Sequence, residues 1–89
     1  MRGLLGRRGL GQGHGMLITP APSVMTFFMR FTIDVVFLDR ANTVVAISNE
    51  LGPWRIAGAR RAFSALELPA GTAAAHGLQI GEVLMINGR

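Results

Sequence analysis

The chain has 89 residues, of which 49% are hydrophobic and 16% charged, and its formal net charge is +4. This length predicts a single domain over residues 1–89, and the apolar content favours one compact core over disorder. The lack of cysteine in the sequence excludes disulfides and thiolate chemistry. All nine basic residues are arginine, scattered singly or in pairs, so the sequence disfavours nucleic-acid binding.

The sequence predicts no membrane span and no secretion signal. Its apolar runs are far shorter than the roughly 20 residues that a membrane-spanning helix needs. The N-terminus is basic but lacks the apolar region of about 7–15 residues that a secretory signal requires. As given, the chain is therefore expected to be cytoplasmic.

The first 20 residues are rich in glycine and leucine. Residues 2–10 predict a short helical turn, although each interior glycine costs about 1 kcal/mol relative to alanine. Residues 11–15 predict a loop that precedes a strand, whereas phosphate-binding glycine loops follow a strand and open a helix. Residues 15–19 predict a short strand that Pro20 ends.

Residues 24–39 form the densest apolar segment of the chain. Odd-numbered positions from Phe27 to Phe37 would form one wholly apolar face of a strand, and Arg30 and Asp34 lie on the other face. This pattern predicts either a strand partly covered on both sides or two strands with a break near Thr32.

The next elements are predicted from turn residues and β-branched runs. Residues 39–42 predict a turn that connects the long strand to a second strand over 43–48, so the two form a hairpin. Residues 49–61 contain Gly52, Pro53 and Gly58 and predict a loop, with Trp54 as its large apolar anchor. Residues 62–68 predict another strand.

The C-terminal part predicts the helical component of the fold. Thr72 is expected to cap a short helix over residues 73–76, and Gly77 to end it in a left-handed conformation. Residues 82–86 predict a last strand. The predicted fold class is therefore α+β, a mainly antiparallel β-sheet or small barrel with one or two short helices.

Several motifs in this order resemble the domain of unknown function 192 family. They are RGLLGRRGL with GMLI, MTFFMRFTIDVVFLD, the Pro53-Trp54-Arg55 loop, and ALELPAGTAAAHGL with IGEVL. The resemblance covers nearly the whole chain. It implies a small β-rich domain without an established activity.

The chain also departs from the pattern of that family. Relatives often carry cysteine and histidine where this chain has Ala21 and Met25, so a family metal or thiol site there would be lost. Relatives often have proline at the position of Thr32, and commonly aspartate at that of Glu82. The resemblance also implies a further strand before Arg2, whose absence would mean a truncated start and an open sheet edge suited to self-association.

Charged side chains within apolar strands are the first candidate site. Arg30 and Asp34 share a strand face, but their Cα atoms would lie about 13 Å apart in a straight strand. The favoured interpretation is structural, with Arg30 bound to carbonyls or to Glu67 and Asp34 accepting from loop amides. The alternative is a pocket in which Arg30 binds an anion and Asp34 or Glu67 acts as an acid or base.

The other candidates are weaker. His14 and His76 lie far apart in a chain without cysteine, so no metal site and no cofactor are predicted. Trp54 and Arg55 form a candidate recognition loop, because Trp and Arg are frequent interface anchors, although Trp54 is expected more simply to plug one end of a barrel.

These observations leave three functional hypotheses. The leading one is a non-catalytic binding or accessory module for an unknown protein or a small anionic ligand, prompted by the loop from Trp54 to Arg61. The second is a small enzyme or anion-binding domain that uses Arg30, Asp34 and Glu67. The third is a truncated domain that needs a partner strand.

Overall fold

A computed structural model describes residues 4–5, 16–20, 23–25 and 32–87 of the chain. Within these ranges the protein is mostly antiparallel sheet with one short helix. The elements in chain order are β1 (Leu4–Leu5), β2 (Met16–Ile18), β3 (Ser23–Met25), β4 (Ile33–Leu38), β5 (Val44–Leu51), β6 (Ile56–Gly58), β7 (Ser64–Pro69), α1 (Thr72–Ala75) and β8 (Ile86–Asn87).

Strand β4 is the centre of the main sheet. This sheet is open and has four strands in the order β2-β7-β4-β5, while β1 pairs with β8 and β3 with β6. All pairs are antiparallel. Every residue of β4 is buried, because strands flank both of its edges and other elements cover both of its faces. The β-branched residues of this strand suit such a doubly covered position.

The two faces of β4 pack into two separate apolar clusters. Val36 and Leu38 point to one face, together with nearby buried residues of β7, α1 and the segment after the helix. Ile33, Val35 and Phe37 point to the other face, where the partly buried Ala57 belongs to β6. Successive side chains of β4 therefore alternate between the two faces of the sheet, as the sequence predicted, but both faces are part of the core.

The β4–β5 hairpin and the end of α1 confirm sequence predictions. The turn is held by Asp39, whose Oδ1 accepts from the backbone amides of Ala41 and Thr43 at 2.8 and 2.9 Å. Gly77 has φ 63° and follows the helix. The amides of Gly77 and Leu78 donate to carbonyls of the last helical turn, which is the Schellman arrangement.

Several predicted elements are wrong in type or extent. The predicted helical turn over 2–10 is wrong at Leu4–Leu5, which form strand β1. The apolar segment 24–39 contributes to two strands in different sheets, β3 and β4, so the alternative of one long strand is wrong and that of two strands is confirmed. The predicted loop over 49–61 contains the end of β5 and all of β6. The residues between β3 and Thr32, and the predicted glycine loop over 11–15, lie outside the described residues.

The C-terminal predictions need two corrections. Thr72 does not cap α1, because Gly71 occupies the N-cap position with φ 88° and the helix has no side-chain cap. The predicted strand over 82–86 is a bridge between Thr43 and Val83, followed by the two residues of β8. Backbone hydrogen bonds join residues 81–84 to residues 42–44, so this segment covers the start of the β5 edge.

The burial of β4 gives a direct test of the fold. We expect Val36→Ala to lower the free energy of unfolding by about 1.5–3 kcal/mol, because Val36 is fully buried and its loss leaves a cavity. Val83→Ala is the matched control, since Val83 is 62% exposed and its truncation should change stability by less than about 0.5 kcal/mol. Urea denaturation measures both; equal losses would contradict this packing.

Candidate functional site

Asp34 is a fully buried carboxylate in the middle of the fold. Its Oδ1 accepts from the backbone amide of Glu50 at 2.8 Å, and its Oδ2 accepts from the backbone amide of Ala73 at 2.8 Å. Both carboxylate oxygens are thus bound by the main chain. A buried charge is tolerated in this way, because hydrogen bonds replace the water that it loses.

The first of these bonds stabilises a bulge in β5. Ile33 pairs with Leu51 and Val35 pairs with Ser48, so two residues of β5 lie opposite Asp34 alone. Glu50, one of those two, has φ 52°. A bulge leaves a residue out of the ladder. The carboxylate of Asp34 accepts the amide that the bulge displaces from regular pairing.

The second bond holds α1 against the sheet. Ala73 is buried and lies in the first turn of the helix, where backbone amides have no partner within the helix. Asp34 satisfies one of these amides from across the core. A single side chain therefore connects β4, the β5 bulge and α1, which favours the structural interpretation of Asp34.

Glu67 lies on the opposite face of the same sheet. The register pairs Asp34 with Leu68 and Val35 with Glu67, and directly opposed residues of an antiparallel pair project to the same face. Glu67 also pairs with Met16. It is half-buried, and burial raises the pKa of its carboxyl because the charged form loses hydration.

The three candidate acid–base and ligand residues are therefore not brought together by the described part of the chain. Asp34 and Glu67 project to different faces of the main sheet, and Arg30 lies outside the described residues. Both oxygens of Asp34 are already bound to amides. A shared pocket for an acid and a base finds no support in this arrangement.

The Trp54–Arg55 loop lies at the surface between β5 and β6. Trp54 is 64% exposed, so it does not plug a barrel end, and Ile56 two residues later is equally exposed. Trp54 also has φ 61°, an uncommon backbone conformation for a large side chain. The loop thus presents apolar surface, as a recognition loop requires.

Three turns meet at one end of the main sheet, which we call the turn end: residues 39–42, 59–63 and 79–82. Leu38 pairs with Ser64, so the turn after β4 and the turn before β7 are neighbours. The amide of Phe63 donates to the carbonyl of Leu38 at 2.7 Å. Gly81 and Glu82 exchange backbone hydrogen bonds with Val44 at 2.8 Å, which places the third turn beside the other two.

The turn end contains a basic cavity, which we call the arginine cleft. It has a volume of about 560 Å³, is open to solvent and is lined by Asp39, Arg40, Ala41, Arg60, Arg61, Ala62 and Phe63. The three arginines are exposed. The guanidinium of Arg40 lies 4.1 Å from the ring centroid of Phe63, within the range of a cation–π contact. The single carboxylate of the lining, Asp39, accepts two amides of its own turn.

A second cavity adjoins the arginine cleft, and we call it the side cavity. Its volume is about 380 Å³, and it is lined by Asp39, Thr43, Val44, Val45, Arg61, Ile80 and Gly81. Asp39 and Arg61 line both cavities. The turn end was only partly visible in the sequence, which indicated Arg60 and Arg61 as part of an exposed loop but gave no sign that Arg40 and Phe63 lie beside them.

The described residues contain neither a cluster of metal ligands nor a membrane-spanning helix. In that part of the chain, three or more histidine and carboxylate side chains are nowhere close enough together to hold a metal ion. None of the helices in the described ranges has the length and hydropathy needed to cross a membrane.

Fold and surface define a small, mostly antiparallel β domain with no recognisable catalytic arrangement among its described residues. The family model that matches the sequence is DUF192, "Uncharacterized ACR", and it matches residues 1–86. The chain therefore belongs to the DUF192 family. Among curated proteins, none matches the chain.

Two solved structures share the fold. A protein of unknown function from Novosphingobium aromaticivorans DSM 12444 has a TM-score of 0.73 at 22% identity, over 92% of this chain and 64% of its own. A protein named as a candidate transcription regulator, from Sinorhizobium meliloti 1021, has a TM-score of 0.73 at 27% identity, over 93% of this chain and 70% of its own. The chain thus spans about two thirds of the length of both proteins.

The two bonds of Asp34 give a test with an internal control. We expect Asp34→Asn to cost about 2–3 kcal/mol of stability, because either the buried amide of Ala73 or the part-buried amide of Glu50 loses its acceptor and faces an NH₂ group. Asp39→Asn should cost less than about 1 kcal/mol, since both amides of that turn bind one oxygen, which asparagine keeps. Urea denaturation compares the two variants. If both variants lose the same free energy of unfolding, the two bonds of Asp34 stabilise the fold no more than the turn bonds of Asp39 do.

The raised pKa of Glu67 predicts a pH dependence. Between the ordinary pKa and the raised one, the native state binds more protons than the unfolded chain, so the free energy of unfolding falls as pH rises through that window. Glu67→Gln should flatten this fall, making the variant more stable than wild type at pH 7 and similar to it at pH 3–4. Denaturation across pH measures this; a variant less stable at pH 7 would contradict it.

Proposed function

We propose that this domain is a non-catalytic binding module that holds an anionic group in the arginine cleft. The observation that carries the proposal is the meeting of Arg40, Arg60 and Arg61 around one open cavity of about 560 Å³. Three guanidinium groups there face a single carboxylate. Guanidinium groups bind phosphate and carboxylate through paired, charge-assisted hydrogen bonds.

The local structure supports this role in two ways. Asp39 offers its Oδ1 to backbone amides of its own turn, which offsets part of its negative charge. Arg40 rests on the ring of Phe63, and this contact restrains its guanidinium group. A side chain that is already restrained loses less entropy when it binds a ligand.

The enzyme alternative has less support. It needs Arg30, Asp34 and Glu67 in one pocket, whereas Asp34 is bound to two amides and Glu67 projects to the other face of the sheet. A binding module requires no such convergence. No cofactor is needed for the proposed role.

The alternatives to a small anion in the arginine cleft are another surface, the Trp54–Arg55 loop, and another ligand, nucleic acid. The Trp54–Arg55 loop is the second candidate, favoured by the 64% exposure of Trp54. Nucleic acid is a second possible ligand, because one similar structure is named as a candidate transcription regulator. Specific protein–DNA interfaces of single modules bury roughly 600–1,000 Å² and contact many phosphates. Three arginines around one cleft fit a small anion better.

The proposal is tested by titrating the protein with inorganic phosphate and following backbone amides by ¹H–¹⁵N NMR. We expect saturable shifts at residues 39–43 and 59–63. Arg60→Gln should weaken binding about fivefold, because an ion pair made by an exposed arginine is worth up to roughly 1 kcal/mol. The double variant Arg60→Gln/Arg61→Gln should weaken it at least tenfold. Binding should also weaken with added salt.

Arg55→Gln is the matched control, because it changes the net charge equally but does not line the arginine cleft. It should leave the phosphate affinity unchanged. If Arg55→Gln lowers the phosphate affinity as much as Arg60→Gln does, the proposal is wrong. Phosphate would then bind at the Trp54–Arg55 loop or respond only to the net charge of the protein. If a short DNA duplex binds far more tightly than phosphate, and does so through the same arginines, then the ligand of the arginine cleft is nucleic acid and not a small anion.

A further inference from the structure

We infer that the ligand of the arginine cleft carries a short apolar chain beside its acidic group, and that this chain lies in the side cavity. The inference rests on the proposed function, since it assigns the ligand class of the same site. Its starting point is that the two cavities share Asp39 and Arg61. A ligand bound to Arg61 from one side therefore lies at the entrance of the other cavity.

The two cavities differ in chemistry. The arginine cleft carries three guanidinium groups, whereas Arg61 is the single basic residue of the side cavity. The rest of the side cavity is lined by Asp39, Thr43, Val44, Val45, Ile80 and Gly81, and its accessible apolar side chains are Val45 and Ile80, since Val44 is buried. Two apolar side chains, Val45 and Ile80, thus adjoin the basic lining of the arginine cleft along one surface. This order matches a ligand with an anionic end and an uncharged, apolar end.

Ile80 is the residue that most requires an explanation. It is 69% exposed, the highest value among the exposed large hydrophobic side chains of the described residues. Its turn is nevertheless well held, since Gly81 and Glu82 bond to Val44 and the amide of Gln79 donates to Glu82 Oε1 at 3.2 Å. A fixed turn therefore presents an apolar side chain to solvent at the wall of a cavity, as ligand sites often do.

Asp39 limits what the chain can carry. Its carboxylate also lines the side cavity, where the one basic residue, Arg61, is already engaged by the acidic group of the ligand. A second negative charge in the side cavity would therefore meet Asp39 without a further cation to balance it. The structure thus favours a monoanion with a linear aliphatic chain over a dianion of the same length. Acetate, hexanoate and adipate are suitable probes, because they share one carboxylate and differ in chain length and terminal charge.

The experiment measures the affinity of each probe by NMR titration of the full chain. Each methylene that is fully buried raises affinity by up to about fourfold, so four partly buried ones should make hexanoate about tenfold tighter than acetate. Adipate should bind no more tightly than acetate. Ile80→Ser should remove most of the hexanoate preference without changing the acetate affinity.

Ile56→Ser is the matched control, because Ile56 is a similarly exposed isoleucine that lines neither cavity. It should leave the hexanoate preference intact, whereas Arg61→Gln should weaken both carboxylates. Equal binding of acetate and hexanoate, with arginine dependence preserved, would overturn the inference and leave the proposed function standing. A preference that survives Ile80→Ser would overturn the placement of the chain. Failure of phosphate, acetate and hexanoate alike to bind would instead overturn the proposed function.

Discussion

The carboxylate of Asp34 is the interaction on which the arrangement of the core depends. It lies on the most buried strand, and it bonds to the β5 bulge through one oxygen and to α1 through the other. Helix α1 has only four residues, too few to be stable without tertiary contacts. Its position is set by the burial of Ala73 and by this bond. The sequence favoured a structural role for Asp34, accepting from backbone amides, over a catalytic one, and the bonds that occupy both of its oxygens support that role.

Much of the central fold could be predicted from local sequence. Period-2 alternation and β-branched residues indicated β4 and β5, Asp39 and Asn42 indicated their turn, and Gly77 indicated the end of the helix. The strands that were missed, β1 and β6, have two and three residues. Such short segments carry no measurable periodicity, and long-range pairing alone makes them strands. Thr72 failed as a cap because the helix begins one residue earlier than predicted, with Gly71 as its N-cap, and the carboxylate of Asp34 accepts the amide of Ala73 instead.

The candidate site could not be predicted for a related reason. Parity along one strand placed Arg30 and Asp34 on a common face, but the face of Glu67 depends on the register between β4 and β7. That register opposes Glu67 to Val35 and not to Asp34. A shift of one residue would have put both carboxylates on the same face. Likewise, the arginine cleft exists because β7 lies beside β4, which brings Phe63 and Arg61 next to Arg40. Local sequence patterns reveal neither the register between β4 and β7 nor the fact that these two strands are neighbours.

The burial of β4 also explains why ligand binding is expected at the ends of the strands. Both faces of the main sheet near β4 are filled by apolar clusters, so they offer no surface to a partner. Turns at the strand ends are free of this constraint, and their backbones are fixed by hydrogen bonds within and between them. Binding residues are often placed on loops that a well-packed scaffold positions in this way. The turn end places arginines and Ile80 on such turns. These side chains are exposed and are not needed to form the core, so they are available to bind a ligand.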